Sequence, residues 1–144
     1  MEQLIRQLKV ILGTNFVLYF KGHSFHWNVE GPDFAQYHGF LGDFYDSVFD
    51  QTDDIAEHIR QLNAYAPTGL IRLLELSAIE ETDSIPSGLA MLAQLKKDND
   101  DYIVQLRAGI VVADQAGEPA VSNFLQDLLA AHQKHAWMLR SFTK

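Results

Sequence analysis

Apolar residues recur at spacings of three and four over most of this chain, and the alternating pattern of β-strands is almost absent. Such spacing places apolar side chains together on the face of an α-helix, so the sequence predicts an all-α fold. The first helical segment has apolar positions on more than one face and is expected to pack on two sides. These positions are Leu4, Leu8, Ile11, Leu12, Phe16, Tyr19 and Phe20.

Glycine and proline residues divide the chain into four long helices. The predicted helices run from Glu2 to about Val29, from Pro32 to about Ala64, from Ser87 to about Gln115, and from the Gly117-Glu118-Pro119 turn to about Ser141. The connection between the second and third helices is too long for a plain bundle loop, and its segment from Leu70 to Leu76 predicts a short helix. This order predicts a ferritin-like four-helix bundle with a short extra helix in the long connection, forming a single domain over residues 1–144.

Composition excludes several classes of protein. The chain has no cysteine, which excludes disulfides, iron–sulfur clusters and thiol catalysis. It has no apolar stretch long enough to span a membrane and no signal peptide, so we expect a cytoplasmic protein. The net charge is −8, the basic residues are scattered, and neither terminus is rich in lysine. Because duplex DNA is bound through clustered cations, direct DNA binding is not expected.

Four side chains indicate metal chemistry: His26, His38, Asp53 and Glu57, at successive spacings of twelve, fifteen and four. His26 and His38 lie on either side of the Gly31-Pro32 break, so two antiparallel helices joined there would hold them at similar heights. Imidazoles suit iron, zinc or copper, and carboxylates shift the preference toward harder ions. If the metal is iron, a site built from two histidines, one aspartate and one glutamate would leave positions open for an oxidant.

The distance along the second helix prevents one chain from bringing all four together. His38 and Glu57 are nineteen residues apart, which corresponds to about 28 Å along a helix. Metal ligands bind at about 2 Å and converge on one point. Either the chain carries two unrelated half-sites, or a second antiparallel copy supplies the acidic half. We favour the second alternative.

The same residues resemble a known signature. The run His26-Trp27-Asn28-Val29-Glu30-Gly31, then Phe34 and His38, then Asp53-Asp54-Ile55-Ala56-Glu57, is similar to the Dps family, the mini-ferritins. The C-terminal run Trp137-Met138-Leu139-Arg140-Ser141-Phe142 resembles that family's last helix.

The resemblance implies a homo-oligomer, a hollow twelve-subunit cage with ferroxidase sites at two-fold dimer interfaces. His26 and His38 would come from one subunit, and Asp53 and Glu57 from the other. The sites would oxidise Fe(II), preferably with hydrogen peroxide, and the cage would store the Fe(III) mineral. Zinc is a further expected occupant or inhibitor. Trp27 would act as an electron donor or radical trap, or would only pack in the interface.

The sequence also departs from the family pattern. Many members have a further carboxylate four residues after the second histidine, where this chain has Gly42, so the second iron position is the less certain one. Asp43 is rotated by about 100° around the helix and is a poor substitute. The usual arginine after the glutamate is His58 here. His23 is an auxiliary ligand or a packing residue. His132 and His135 are expected in the core or in a subunit interface.

The sequence leaves other functions to be compared with this one. A ferritin with metals inside each bundle would need Glu-x-x-His motifs, and none occurs in this chain. A DNA-binding, nucleoid-protecting cage with weak or absent ferroxidase activity is the main alternative. A structural cage that has lost catalysis is the third, because Gly42 replaces a usual ligand.

Overall fold

Five α-helices form the fold in the computed structural model, which describes residues 1–144, and no strand is present. The helices are α1 (Glu2–Asn28), α2 (Phe34–Gln61), α3 (Leu70–Leu76), α4 (Gly88–Gln115) and α5 (Pro119–Phe142). The short helix α3 lies in the long connection between α2 and α4, so the predicted four-helix arrangement is confirmed. None of the helices combines the length and the apolar character that crossing a membrane requires.

The bundle is built from two helix hairpins. α1 packs along α2, α4 packs along α5, and α1 also contacts α4, whereas α2 and α5 touch only over a short stretch. α3 lies across α1 at Gly13, where an added Cβ would come within 2.5 Å of the carbonyl oxygen of Leu73. A side chain at Gly13 would therefore push α3 away from α1. The neighbouring Thr14 hydroxyl accepts a hydrogen bond from the backbone of Ala78 at 2.9 Å and holds the end of α3 in place.

The ends of α2 differ from the sequence prediction. The helix begins at Phe34 rather than Pro32, because a turn at Gly31, with φ 117°, brings the N–H of Phe34 to the carbonyl of Gly31. It ends at Gln61 rather than about Ala64, because Asn63 adopts a left-handed conformation with φ 63°. The N–H of Ala64 then donates to the carbonyl of Ile59, which is the hydrogen bond of a Schellman ending. The other ends agree to within about two residues, the scatter expected of helix assignments.

A polar network crosses the apolar core. The hydroxyl of Tyr102 on α4 donates to Oδ1 of Asn15 on α1 at 3.0 Å. The amide of Asn15 in turn donates to the carbonyl of Val48 and to the hydroxyl of Thr52, both on α2 and both at 3.0 Å. Asn15 and Tyr102 have no exposed surface. Three helices are therefore joined through one buried asparagine.

His132 on α5 forms a second set of buried hydrogen bonds, to α4 and α2, and its ring lies 4.6 Å from that of Tyr102. Its side chain is completely buried, which confirms the predicted core position. Asn99 donates to the carbonyl of His132 at 2.9 Å and accepts from its Nδ1–H at 2.7 Å. Since burial lowers the pKa of His132 well below its usual value, the ring is neutral and its Nε2 is an acceptor. The Gln51 carboxamide, 2.8 Å from Nε2, must therefore present its NH₂ group to the ring. No buried side-chain polar atom in the protein lacks a partner.

Candidate metal centre

The end of α1 and the first part of α2 bring His26 and His38 into contact. Their rings stack with centroids 3.8 Å apart and an interplanar angle of 16°. Nδ1 of His26 is 2.8 Å from the carbonyl oxygen of His38, and Nδ1 of His38 is 2.9 Å from the carbonyl oxygen of His26. The sequence prediction that these two histidines lie at similar heights therefore agrees with the structure.

This reciprocal bonding fixes the tautomer of both rings. A carbonyl oxygen only accepts hydrogen bonds, so each Nδ1 carries the hydrogen and donates it. In a neutral imidazole the other nitrogen, Nε2, then keeps its lone pair. Metal-binding histidines use this arrangement, in which a hydrogen bond at one nitrogen orients the ring and the other nitrogen binds the metal. His26 and His38 together present two such nitrogens.

Asp53 and Glu57 lie near the opposite end of α2. They are four residues apart, so one helix face carries both carboxylates, and both are exposed. None of the five salt bridges in the chain involves either residue. The two carboxylates are therefore free of ionic partners within the chain.

One chain does not bring the four predicted ligands together. It contains no group of three or more histidine, aspartate and glutamate side chains that could hold a metal ion. His38 and Glu57 lie on the same continuous helix, Phe34–Gln61, so their separation of about 28 Å along it follows from the helical rise. The structure thus contains a histidine pair and a carboxylate pair as two separate halves.

Gly42 lies directly beside the histidine pair. A Cβ added at Gly42 would lie 3.2 Å from Cε1 and 3.4 Å from Nδ1 of His26. Asp43 instead lines a cleft between α2 and α5 together with His135, so its carboxylate does not replace the missing one. His58 also faces α5, with its ring stacked on Phe124 at 4.1 Å.

A cluster of aromatic rings surrounds His26. His23 stacks on Tyr45 with centroids 3.8 Å apart and an angle of 7°, and Tyr45 lies 5.2 Å from the ring of His26. Trp27 lies 4.4 Å from His23 and is 58% exposed. The hydroxyl of Tyr19 is 2.8 Å from Nδ1 of His23. Nδ1 of His23 is thus engaged by the hydroxyl of a tyrosine.

The sequence indicated Tyr19 only as an apolar position of the first helix and did not indicate Tyr45. The signal for Tyr19 was present in the spacing of four between Tyr19 and His23, which places both on one helix face. Burial raises the pKa of Tyr19, and burial, followed by the neighbouring His26, lowers the pKa of His23. Both side chains are therefore neutral near pH 7.

The cluster borders a large exposed apolar surface on α1, α2 and α3. Phe20 and Phe49 are each 50% exposed, and Ile71 is 76% exposed. Phe16, Phe20, Leu70 and Ile71 line a shallow groove between α1 and α3. Exposed apolar side chains gathered around a groove in this way are typical of an interaction site in soluble proteins.

Comparison with known proteins defines the class. Residues 5–144 match the family described as the ferritin-like domain. The DNA protection during starvation protein of Brevibacillus brevis is 31% identical over 147 residues, which covers 99% of each chain. The crystal structure of Dps from Staphylococcus aureus superposes with a TM-score of 0.96 at 26% identity, covering 100% of this chain and 97% of the other. The fold and the sequence match together define a ferritin-like protein.

A second solved structure indicates which family within the ferritin-like proteins the chain belongs to. The Dps protein of Vibrio cholerae O1, described as a member of a broad superfamily of ferritin-like diiron-carboxylate proteins, superposes with a TM-score of 0.93 at 26% identity. The match covers 99% of this chain and 90% of the Vibrio cholerae chain. The chain belongs to the Dps family, and the resemblance found in its sequence is confirmed.

Proposed function

We propose that this protein is an iron-storing ferroxidase of the cytoplasm. Its subunits assemble into a twelve-subunit cage, bind Fe(II) at sites shared between two subunits, and oxidise it with hydrogen peroxide in preference to dioxygen. The Fe(III) product is stored as a mineral inside the cage. This chemistry removes the two reactants that generate hydroxyl radicals. The observation that carries the proposal is the histidine pair, whose two Nε2 atoms are left available by reciprocal Nδ1 hydrogen bonds.

The two halves of the site perform different tasks. His26 and His38 bind Fe(II) through neutral nitrogen, while the partner subunit's Asp53 and the partner subunit's Glu57 supply anionic oxygen. Carboxylates stabilise the higher charge of Fe(III), so they favour the oxidised product electrostatically. In a two-fold dimer each subunit gives its histidine half to one site and its acidic half to the other. Each dimer therefore has two equivalent sites.

The exposed apolar surface supports this pairing. It includes residues of α1, α2 and α3, and Trp27, the neighbour of His26 in sequence, joins it through an edge contact with Phe20 at 6.0 Å. A self-complementary interface of a two-fold dimer uses the same surface on both subunits. Burying this surface in a dimer removes Phe20, Phe49 and Ile71 from water and excludes bulk solvent from the neighbouring site.

Each site holds one iron through these four side chains. Gly42 offers no side-chain oxygen where many family members have a carboxylate, and Asp43 is directed to the cleft between α2 and α5. Zinc, which accepts the same nitrogen and oxygen ligands but has no redox chemistry, occupies the site as an inhibitor.

The test is the rate of Fe(II) oxidation by hydrogen peroxide, followed by the absorbance of Fe(III). Replacing both ligands, His26→Ala with His38→Ala, is expected to reduce the rate to that of iron and peroxide without protein. The matched control is His58→Ala, because His58 is a histidine of α2 whose ring faces Phe124 rather than the site. This control is expected to keep the wild-type rate. Equal rates for the double variant and the wild type would contradict the proposal.

A further inference from the structure

Tyr19 is the one tyrosine whose hydroxyl is hydrogen-bonded to an imidazole. Its oxygen lies 2.8 Å from Nδ1 of His23, whereas the hydroxyl of Tyr102 is bonded to an asparagine. A phenol is a better donor than an imidazole N–H, and an unprotonated imidazole nitrogen is the better acceptor. Tyr19 therefore donates its O–H to Nδ1 of His23, and the phenolic proton already points at a base.

Aromatic contacts connect this pair with the proposed iron site. Tyr45 lies 5.2 Å from the ring of His26 and 6.2 Å from the ring of Tyr19. Tyr45 also stacks on His23 at 3.8 Å, and Trp27 lies 4.4 Å from His23. The contacts thus form a continuous path of rings between Tyr19 and a proposed iron ligand.

The proposed function leaves one electron unaccounted for at this site. Hydrogen peroxide needs two electrons to become two hydroxide ions, and a single Fe(II) supplies one. If only that electron arrives, the O–O bond breaks to give one hydroxide ion and one hydroxyl radical. A protein that oxidises Fe(II) one iron at a time therefore needs a second electron donor close to the site.

We propose that Tyr19 supplies the second electron, with its phenolic proton passing to Nδ1 of His23. This inference rests on the proposed function. Fe(II), hydrogen peroxide, the Tyr19 phenol and the neutral His23 imidazole give Fe(III), two hydroxide ions, a Tyr19 phenoxyl radical and a His23 imidazolium. The O–O bond of peroxide and the O–H bond of Tyr19 break, and an N–H bond forms on His23.

A second Fe(II) restores the pair. It reduces the phenoxyl radical to the phenolate level while His23 returns the proton, and Fe(III), the Tyr19 phenol and the neutral imidazole result. The sum of both steps is two Fe(II) and one peroxide giving two Fe(III) and two hydroxide ions. No hydroxyl radical leaves the site, although only one iron is present at a time.

The rings of Tyr45 and Trp27 lack the hydrogen-bonded base that Tyr19 has in His23. A phenol becomes a strong acid when it loses an electron, so its oxidation is favourable when a base receives the proton. No hydrogen-bond acceptor is bonded to the hydroxyl of Tyr45 within the chain, and Trp27 is more than half exposed, with its indole N–H likewise unbonded. Tyr45 and Trp27 therefore serve as contacts along the path, and the radical rests on Tyr19.

The experiment is freeze-quench electron paramagnetic resonance of the Fe(II)-loaded protein after mixing with peroxide. The wild type is expected to give a tyrosyl signal with a coupling to a hydrogen-bonded proton that disappears in deuterated water. In Tyr19→Phe the tyrosyl signal is expected to vanish while iron oxidation continues, and spin-trapped hydroxyl radical rises several-fold. Tyr65→Phe makes the same change at a residue that is 82% exposed and should leave both readouts unchanged.

Two further variants locate the radical. His23→Phe keeps an aromatic ring to stack on Tyr45 but cannot accept a proton, so it should lose the exchangeable coupling and raise the trapped hydroxyl radical as Tyr19→Phe does. Tyr45→Phe keeps the ring path and should retain the signal. A signal that survives in Tyr19→Phe, or one that is lost in Tyr45→Phe, would overturn the assignment to Tyr19.

An iron-free measurement separates this inference from the ferroxidase proposal. When metal-free protein is oxidised by flash-generated azide radicals, a tryptophan radical is expected to decay as a tyrosyl radical grows in, and Tyr19→Phe should slow that decay several-fold. An unchanged decay would count against the Tyr19 relay alone. A wild type that does not oxidise Fe(II) would instead contradict the ferroxidase proposal.

Discussion

The histidine pair is oriented by the backbone rather than by other side chains. Each Nδ1 donates to the main-chain carbonyl of the other histidine, and that carbonyl remains when the other ring is removed. A single alanine substitution at His26 or His38 therefore removes one proposed ligand and leaves the other ring held in place. The contribution of each ring to the proposed iron binding can for this reason be measured separately.

Gly42→Glu is expected to create a second iron position at each site. The added carboxylate would stand beside His26, and its Cβ would meet Cε1 at 3.2 Å, so the ring must move by a few tenths of an ångström. Anaerobic titration calorimetry should therefore show a second Fe(II) per site, together with modestly weaker binding of the first.

Gly39→Glu is the matched control for this change. Gly39 is exposed on the same helix, and an added Cβ there would meet no atom within 4 Å. It introduces the same charge without approaching His26, so the iron stoichiometry should stay at the wild-type value. A Gly42→Glu protein that also keeps this value would show that the glycine does not limit the site.

At the scale of the helices, the buried polar network holds α1, α2, α4 and α5 in register. Tyr102→Phe tests its contribution because the change removes one hydroxyl and leaves the ring. Oδ1 of Asn15 would lose its donor in a fully buried position, so the free energy of unfolding should fall by about 1–2 kcal/mol. Urea unfolding at a fixed protein concentration measures this fall in the free energy of unfolding. Tyr65→Phe, at an exposed position, should change stability by less than about 0.5 kcal/mol.

The packing of α5 against α2 and α4 makes stability depend on pH. Burial lowers the pKa of His132 well below its usual value, with the neighbouring His135 as a smaller cause. Burial, followed by Lys134, lowers the pKa of His135 to about 4. The unfolded chain binds protons on both rings near pH 6.5, while the folded protein does not. Stability should therefore be constant above about pH 7 and fall as the pH drops from 6.5 toward 4.

The expected slope in this window is about 1.4 kcal/mol per pH unit for each proton taken up on unfolding. Urea midpoints measured at several pH values give the slope. Replacing both rings, His132→Gln with His135→Gln, should make the slope smaller even if the protein is less stable at every pH, and the remaining slope includes the contribution of His23. His58→Gln, on the face of α2 that stacks on Phe124, should leave the slope in place. A double variant with the wild-type slope would contradict the assignment.

The helices were predictable from sequence because apolar spacing is a local signal. The end of α2 was not, because the left-handed conformation of Asn63 depends on backbone hydrogen bonds that many residues could make. The core network was missed for a different reason. Asn15 and Tyr102 are 87 residues apart, and nothing in the periodicity of either helix indicates that the two side chains meet.

Part of the candidate metal centre was also predictable from a local signal in the sequence. The short turn at Gly31 requires His26 and His38 to lie at similar heights, so their proximity followed from spacing and chain direction. The stacking of the rings and the reciprocal Nδ1 bonds depend on the rotation of α1 relative to α2, which spacing does not determine. The same rotation decides that a side chain at position 42 would contact His26, whereas Asp43 lines the cleft between α2 and α5.

At the scale of the whole molecule, one chain carries a histidine pair, a separate carboxylate pair and exposed aromatic side chains. The histidine half lies at one end of α2 and the acidic half at the other. An antiparallel partner across a two-fold axis would bring opposite ends of the two α2 helices together and complete both sites at once. Because a separated subunit would lack a complete proposed site, we expect iron oxidation to require assembly.

A complementation experiment tests that claim most directly. One chain carries His26→Ala with His38→Ala, the other carries Asp53→Ala with Glu57→Ala, and each alone should form inactive cages. In an equal mixture half of the dimers are mixed, and one of the two sites in each mixed dimer has intact histidines facing intact carboxylates. Co-assembled cages, verified by native mass spectrometry, should thus recover about a quarter of the wild-type rate of peroxide-driven Fe(II) oxidation. Mixed cages as inactive as either parent would contradict the shared site.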